Sequence, residues 1–103
     1  MKHKKAVKIT ILNYIDNGLV ECELIDCKGK KWTFSAKPAM FSDQEINAKT
    51  EFPQTGMLPC KVETQRLDSN GKLVLLIDTI RWKLANVEAG GYFEVYDSQV
   101  NDL

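Results

Sequence analysis

Residues 18–38 read GLVECELIDCKGKKWTFSAKP, and the way the two halves of this stretch face one another decides the fold. Val20, Cys22 and Leu24 alternate with Glu21 and Glu23, while Trp32, Phe34 and Ala36 alternate with Lys31, Thr33 and Ser35. A period of two is the mark of a strand with one buried face. A three-residue loop Cys27-Lys28-Gly29, with the glycine left-handed, predicts Leu24 opposite Trp32, Cys22 opposite Phe34 and Val20 opposite Ala36. Every large apolar side chain except Ile25 then lies on one face. The other face carries Glu21 beside Ser35, Glu23 beside Thr33 and Ile25 beside Lys31. A two-residue Lys28-Gly29 loop would set Phe34 opposite Glu23 and bury a carboxylate without a partner, so it is rejected.

The same periodicity continues outward. Val7, Ile9 and Ile11 alternate with Lys8 and Thr10 in a first strand that ends near Tyr14, and Asp16-Asn17-Gly18 marks the turn that follows. After Lys37-Pro38 the pattern breaks, and Ser42-Asp43-Gln44-Glu45 has the capping-box spacing that predicts a short helix. Pro53-Gln54-Thr55-Gly56 reads as a turn that launches a strand over residues 57–67, with Leu58, Cys60, Val62 and Thr64 on one side and Lys61, Glu63 and Gln65 on the other. Asp68-Ser69-Asn70-Gly71 closes a hairpin onto residues 73–79, through a loop of either two or four residues. The unbroken Leu73-Val74-Leu75-Leu76-Ile77 run predicts a strand covered on both sides. Residues 81–89 are irregular, Gly90-Gly91 makes a turn, and residues 92–96 form a last strand with Phe93 and Val95 inward. About six strands and one short helix predict an all-β, mainly antiparallel domain over residues 1–103, a small β-barrel or sandwich.

A chain of 103 residues, 44% hydrophobic and 27% charged, can build one core of its own. Its formal net charge of zero removes the whole-domain basic field of many sequence-independent nucleic-acid binders. The longest aliphatic run, residues 73–77, is far short of the roughly 20 residues of a membrane-spanning helix, so no membrane partner is expected. The opening MKHKKAVKITILNYI has a basic start, but Lys8 and Asn13 interrupt its apolar part and no cleavage pattern follows, so a secretory signal is not expected. Three cysteines, Cys22, Cys27 and Cys60, show no paired spacing, which suits a reducing compartment and predicts a cytoplasmic location.

No catalytic constellation is legible. The single histidine, His3, lies at the terminus, away from any candidate nucleophile. Close Cys or His pairs are lacking, so neither a metal nor a cofactor is expected. Glu21 and Glu23 project from one side of a strand at a spacing of roughly 7 Å, the arrangement of a solvated face. Gly90-Gly91 leads into a strand, whereas phosphate-cradling glycines lead into a helix. The chain therefore reads as a binding protein and not an enzyme. With Phe93 and Val95 inward, Tyr92, Glu94 and Tyr96 form an outward row of two aromatics about an acid, a composition enriched at interface centres, and Trp82 stands ready to join it. The alternative is an OB-like or SH3-like nucleic-acid module, suggested by Lys2, Lys4, Lys5 and Lys8. Inward-facing Trp32 and Phe34 deprive that reading of stacking platforms.

The segments VECELIDCKGKKWTF, FPQTGMLPC and DTIRWKLANVEAGGYFEV together resemble a family of small bacterial all-β proteins. In that family a strand-turn-strand, a Pro-x-x-Gly turn and a late glycine before an F-x-V strand recur in this order. Such proteins are similar in type to the immunity proteins of contact-dependent growth inhibition. The resemblance implies that the chain binds a cognate toxin domain, a nuclease, and blocks its active site. It also implies acidic contacts from Glu21, Glu23 and Glu94, with Tyr92, Tyr96 and Trp82 as anchors.

The register makes Trp32 a core residue and Glu21 a surface one. Trp32→Ala is expected to cost about 3 to 5 kcal/mol in a urea titration and Glu21→Ala almost nothing.

Overall fold

The computed structural model of the protein describes residues 5–16, 18–37, 49–79 and 91–102. Among them run seven strands: β1 (Lys5–Tyr14), β2 (Val20–Ile25), β3 (Lys31–Ala36), β4 (Gln54–Leu67), β5 (Leu73–Asp78), β6 (Tyr92–Tyr96) and β7 (Val100–Asp102). A 3-10 turn, Asp97–Gln99, separates the last two. The strands form one sheet in the order β3-β2-β1-β4-β5-β6, with β7 added beside β1, and every pairing is antiparallel. The sheet curls into a half-barrel that buries its inner face against itself. The all-β antiparallel expectation is correct.

The opening stretch folds in the expected register, with Leu24 opposite Trp32, Cys22 opposite Phe34 and Val20 opposite Ala36. Gly29 has φ +81 and donates its N–H to the Asp26 carbonyl at 3.0 Å, as the three-residue loop requires. The β4–β5 hairpin corrects the expectation of a two- or four-residue loop. Its loop is Ser69-Asn70-Gly71, closed by Asp68 N–H to the Lys72 carbonyl at 2.9 Å and by Gly71 N–H to the Asp68 carbonyl at 3.0 Å, with Gly71 at φ +79. The two loops are one device written twice, Asp-x-x-Gly-Lys. In each, one aspartate oxygen accepts two backbone N–H groups, from Lys28 and Lys30 in the first and from Asn70 and Lys72 in the second. A short acidic side chain that captures nearby N–H groups holds the turn open to its strands.

The core gathers Val7, Ile9 and Ile11 of β1, Val20, Cys22 and Leu24 of β2, Phe34 of β3, Leu58 of β4, Leu75 and Ile77 of β5, and Phe93 and Val95 of β6. In β5 the expected two-sided burial holds, because Leu75 faces this core while Val74, only 1% exposed, is covered on the opposite side. Trp32 departs from its assignment as a core residue. It is half-buried, packing its ring on the core while its Nε1 reaches outward to Asp26.

Three further differences have physical causes. The expected turn at residues 53–56 is mostly strand, because Gln54, Thr55 and Gly56 pair with Ile11, Thr10 and Ile9 and the ladder with β1 overrides the local turn signal. Thr64 is exposed instead of inward. The register of β4 slips between Val62 and Thr64, and one extra residue turns every following side chain to the other face. A seventh strand, β7, arises where polar residues surround the lone apolar Val100, which pairs with Val7 and packs on the core. The helix expected at residues 42–45 lies outside the described residues, as do Trp82 and residues 81–89.

No other heavy atom lies within 4 Å of a Cβ built on Gly29 or Gly71, so a substitution there meets only the backbone cost of a positive φ. Gly29→Ala and Gly71→Ala are each expected to lower unfolding free energy by about 1 to 2 kcal/mol. The asparagine variants should lose less, and urea denaturation of the four proteins checks the ranking.

Candidate functional site

The half-barrel closes at a seam between β6 and the end of β2, and the seam is where the candidate residues meet. Gly91, just before β6, and Phe93 and Val95 within it direct their backbone groups at β5, as shown by the Thr79 N–H bond to the Gly91 carbonyl at 2.7 Å and the pairing of Phe93 with Ile77. Tyr92, Glu94 and Tyr96 therefore direct theirs away from β5. The Glu94 carbonyl accepts the Cys27 N–H at 2.7 Å. At the other end, Tyr96 N–H donates to Gln99 Oε1 at 2.9 Å, and Gln99 Nε2 donates to the Ile25 carbonyl at 2.8 Å. Glu94 thus stands against Cys27 and Tyr96 against Ile25, the offsets of an antiparallel pair.

This places the outward row of β6 alongside the outward row of β2. Tyr92 is 45% exposed and Glu94 and Tyr96 are partly exposed. Across the seam lie Ile25, itself 41% exposed, and beyond it Glu23 and Glu21. Five of the six residues singled out in the sequence thus occupy one outer wall, and the sixth, Trp82, lies outside the described residues. Their side chains are not all idle. Glu21 Oε1 accepts from Asn13 Nδ2 at 2.8 Å, and Glu94 Oε2 pairs with Arg66 Nε at 3.0 Å. Lys72 Nζ sits 5.2 Å from the centre of the Tyr96 ring.

Beside the Cys27–Glu94 bond the wall opens into a cleft of about 190 Å³ between the β2–β3 loop and β6. Its apolar lining comes from Trp32, Leu76, Tyr92 and Phe93, and its polar groups from Asp26, Lys28 and Glu94. Trp32 meets Phe93 edge to face, with ring centres 5.8 Å apart, and carries Lys30 Nζ at 3.9 Å from its own centre. Asp26 organises this corner. Partial desolvation opposes its ionisation, but hydrogen bonds from Trp32 Nε1 at 3.0 Å and from the Lys30 and Lys28 amides outweigh it, and its carboxyl lies below the usual range.

Cys27, half-buried in the same cleft, has its thiol pushed up by desolvation and by the Glu94 and Asp26 carboxylates. Burial pushes Cys22 up to about 12 and Cys60 up to about 11. A raised pKa leaves little thiolate at neutral pH, so none of these thiols is primed as a nucleophile. Among the described residues, no group of three or more His, Cys, Asp or Glu side chains comes together for a metal, and no helix is long and apolar enough to cross a membrane.

Sequence reading missed Ile25, Asp26 and Gln99 as members of this wall. The repeat of Asp-x-x-Gly-Lys at residues 26–30 and 68–72 was a signal for Asp26. Nothing local announces that Gln99 reaches Ile25, a contact 74 residues apart. The chain is a small antiparallel half-barrel whose outer wall is composed across the seam. No protein-family model matches the chain, and no curated protein or solved structure matches it either.

The Asp26 carboxyl has a lower pKa in the folded chain than in the unfolded one, where it lies near 3.9. Its contribution to stability is present above that value and is lost as the pH falls through the lower, folded-state value. Asp26→Asn is therefore expected to flatten the loss of stability below about pH 4, with little change in slope between pH 6 and pH 8. Urea midpoints measured across pH check this.

Proposed function

We propose that this chain is a binding protein of the immunity type, which inhibits a cognate toxin domain by covering its active site. The supporting observation is the outer wall at the seam. It sets Glu94 against Cys27 and Tyr96 against Ile25, with Glu23 and Glu21 further along the outward side of β2. Exposed aromatic and aliphatic groups set among carboxylates suit the desolvated centre and polar rim of a protein interface. The acids would meet the basic surface of a nuclease, and the tyrosines would supply rigid contact area.

A second reading has one observation in its favour. Lys30 over Trp32 and Lys72 over Tyr96 put cations and aromatics on a shared surface, as single-strand binders do. The weight stays with a protein partner because each of those rings already has a lysine against it and the chain carries no net charge.

The test is co-expression of this chain with the C-terminal region of the protein encoded immediately upstream, read by growth and by native mass spectrometry. Rescue of growth with a one-to-one complex is expected. Tyr92→Ala with Tyr96→Ala should weaken that complex by a factor of roughly 30 or more, the effect of losing about 2 kcal/mol at an interface centre, while circular dichroism stays unchanged. Absence of toxicity and of complex, with salt-dependent binding to single-stranded oligonucleotides, would transfer the assignment to the second reading.

A further inference from the structure

We infer that the Gln99 carboxamide is a latch that closes the half-barrel, standing in for one missing rung of the β2–β6 ladder and controlling the opening of the adjacent cleft. The register across the seam sets Glu94 against Cys27 and Tyr96 against Ile25. An unbroken antiparallel ladder would therefore join the Cys27 N–H to the Glu94 carbonyl and the Tyr96 N–H to the Ile25 carbonyl. The first bond is direct, at 2.7 Å. In place of the second, a side-chain amide is spliced between the same two backbone groups, its oxygen accepting from Tyr96 at 2.9 Å and its nitrogen donating to Ile25 at 2.8 Å.

A carboxamide carries the same donor and acceptor as a peptide group, which lets it serve as a rung. It also spaces the strands. The seam is drawn together at Cys27 and Glu94 and held apart by one amide at Ile25 and Tyr96. Gln99 belongs to the turn that leads into β7, and β7 pairs with Lys5, Ala6 and Val7 of β1. The latch is thus anchored on the central strand, and it ties the far edge of the sheet to the β2–β3 hairpin. Its bond to the Ile25 carbonyl is exposed and its bond from the Tyr96 N–H is partly buried. Without Gln99, β6 is still joined to the hairpin by the Cys27–Glu94 bond, the Trp32–Phe93 contact and shared packing in the core. The Cys27–Glu94 bond and the Trp32–Phe93 contact border the cleft.

Cys27 is a built-in reporter, being half-buried on the seam and in the cleft. The experiment compares the intact chain with Gln99→Ala and Gln99→Glu, reading backbone amide exchange and the rate at which iodoacetamide modifies Cys27, resolved from Cys22 and Cys60 by peptide mapping. In Gln99→Ala, Tyr96 amide exchange and Cys27 alkylation are both expected to rise about tenfold, the effect of losing one or two solvent-accessible hydrogen bonds. Exchange at Val7 and Ile9 in the centre of the sheet should not change. Gln99→Glu keeps an oxygen for the Tyr96 N–H but has no donor for the Ile25 carbonyl, so it should raise Cys27 alkylation and leave Tyr96 protected. Unchanged Tyr96 exchange and Cys27 alkylation in Gln99→Ala would overturn the latch. So would an equal acceleration at Val7, Ile9 and Tyr96, which reports general destabilisation and not a seam. Should Gln99→Ala fail to fold, the split between Tyr96 and Cys27 in Gln99→Glu decides the question alone.

Discussion

The curl of the sheet depends on β4, one strand that serves two partners. Its first half pairs with β1 through residues 54–60 and its second half with β5 through residues 61–67. A straight strand cannot bend around a core while keeping one ladder continuous. The slip between Val62 and Thr64 resolves this, because an extra residue bends the strand and increases its twist. A matching slip in β1, between Ile11 and Asn13, bends the neighbouring strand against β2. The two long central strands therefore carry the irregularities, and the short outer strands stay regular. From this bend follows the approach of β6 to the β2–β3 hairpin, and hence the seam, the cleft and the outer wall.

Burial alone would have been satisfied by two flat layers. What the half-barrel adds is the meeting of two strands that stand four places apart in strand order, β2 and β6. Among the described residues, the polar and aromatic contacts across the junction include one backbone bond, one side-chain amide and one edge-to-face aromatic pair. Such a junction is weaker than the ladders it connects, and local opening is expected where backbone hydrogen bonds are few and exposed. The wall offered for binding is built across this weak line, so its shape depends on the seam as much as on its side chains.

Charge is distributed in the same spirit. The overall balance is zero, yet around the seam acids and bases are paired locally, Glu94 with Arg66 and Asp26 with the hairpin amides, while Lys30 and Lys72 lie on aromatic rings. Exposed ion pairs of this kind contribute little to stability. Their effect is to fix where charges stand on the wall.

By itself the sequence determined six of the seven described strands, the start of β4 apart, the inward faces before each slip, and the register of the β2–β3 hairpin, because period-two alternation and a glycine at a positive-φ position are local physics. It also marked Tyr92, Glu94 and Tyr96 as outward, since Phe93 and Val95 had to be inward. The tertiary structure alone decided the rest. The slip after Val62 depends on which partner β4 bends towards, and it reversed the expected side of Thr64. The strand character of residues 54–56 came from pairing with β1, which no turn signal in Pro53-Gln54-Thr55-Gly56 records. Trp32 stayed half out of the core because an aspartate in its own hairpin offered its Nε1 a partner. The meeting of β2 and β6 joins residues far apart in the chain, Cys27 with Glu94 and Ile25 with Gln99, and such reach is a distance in space and not in sequence.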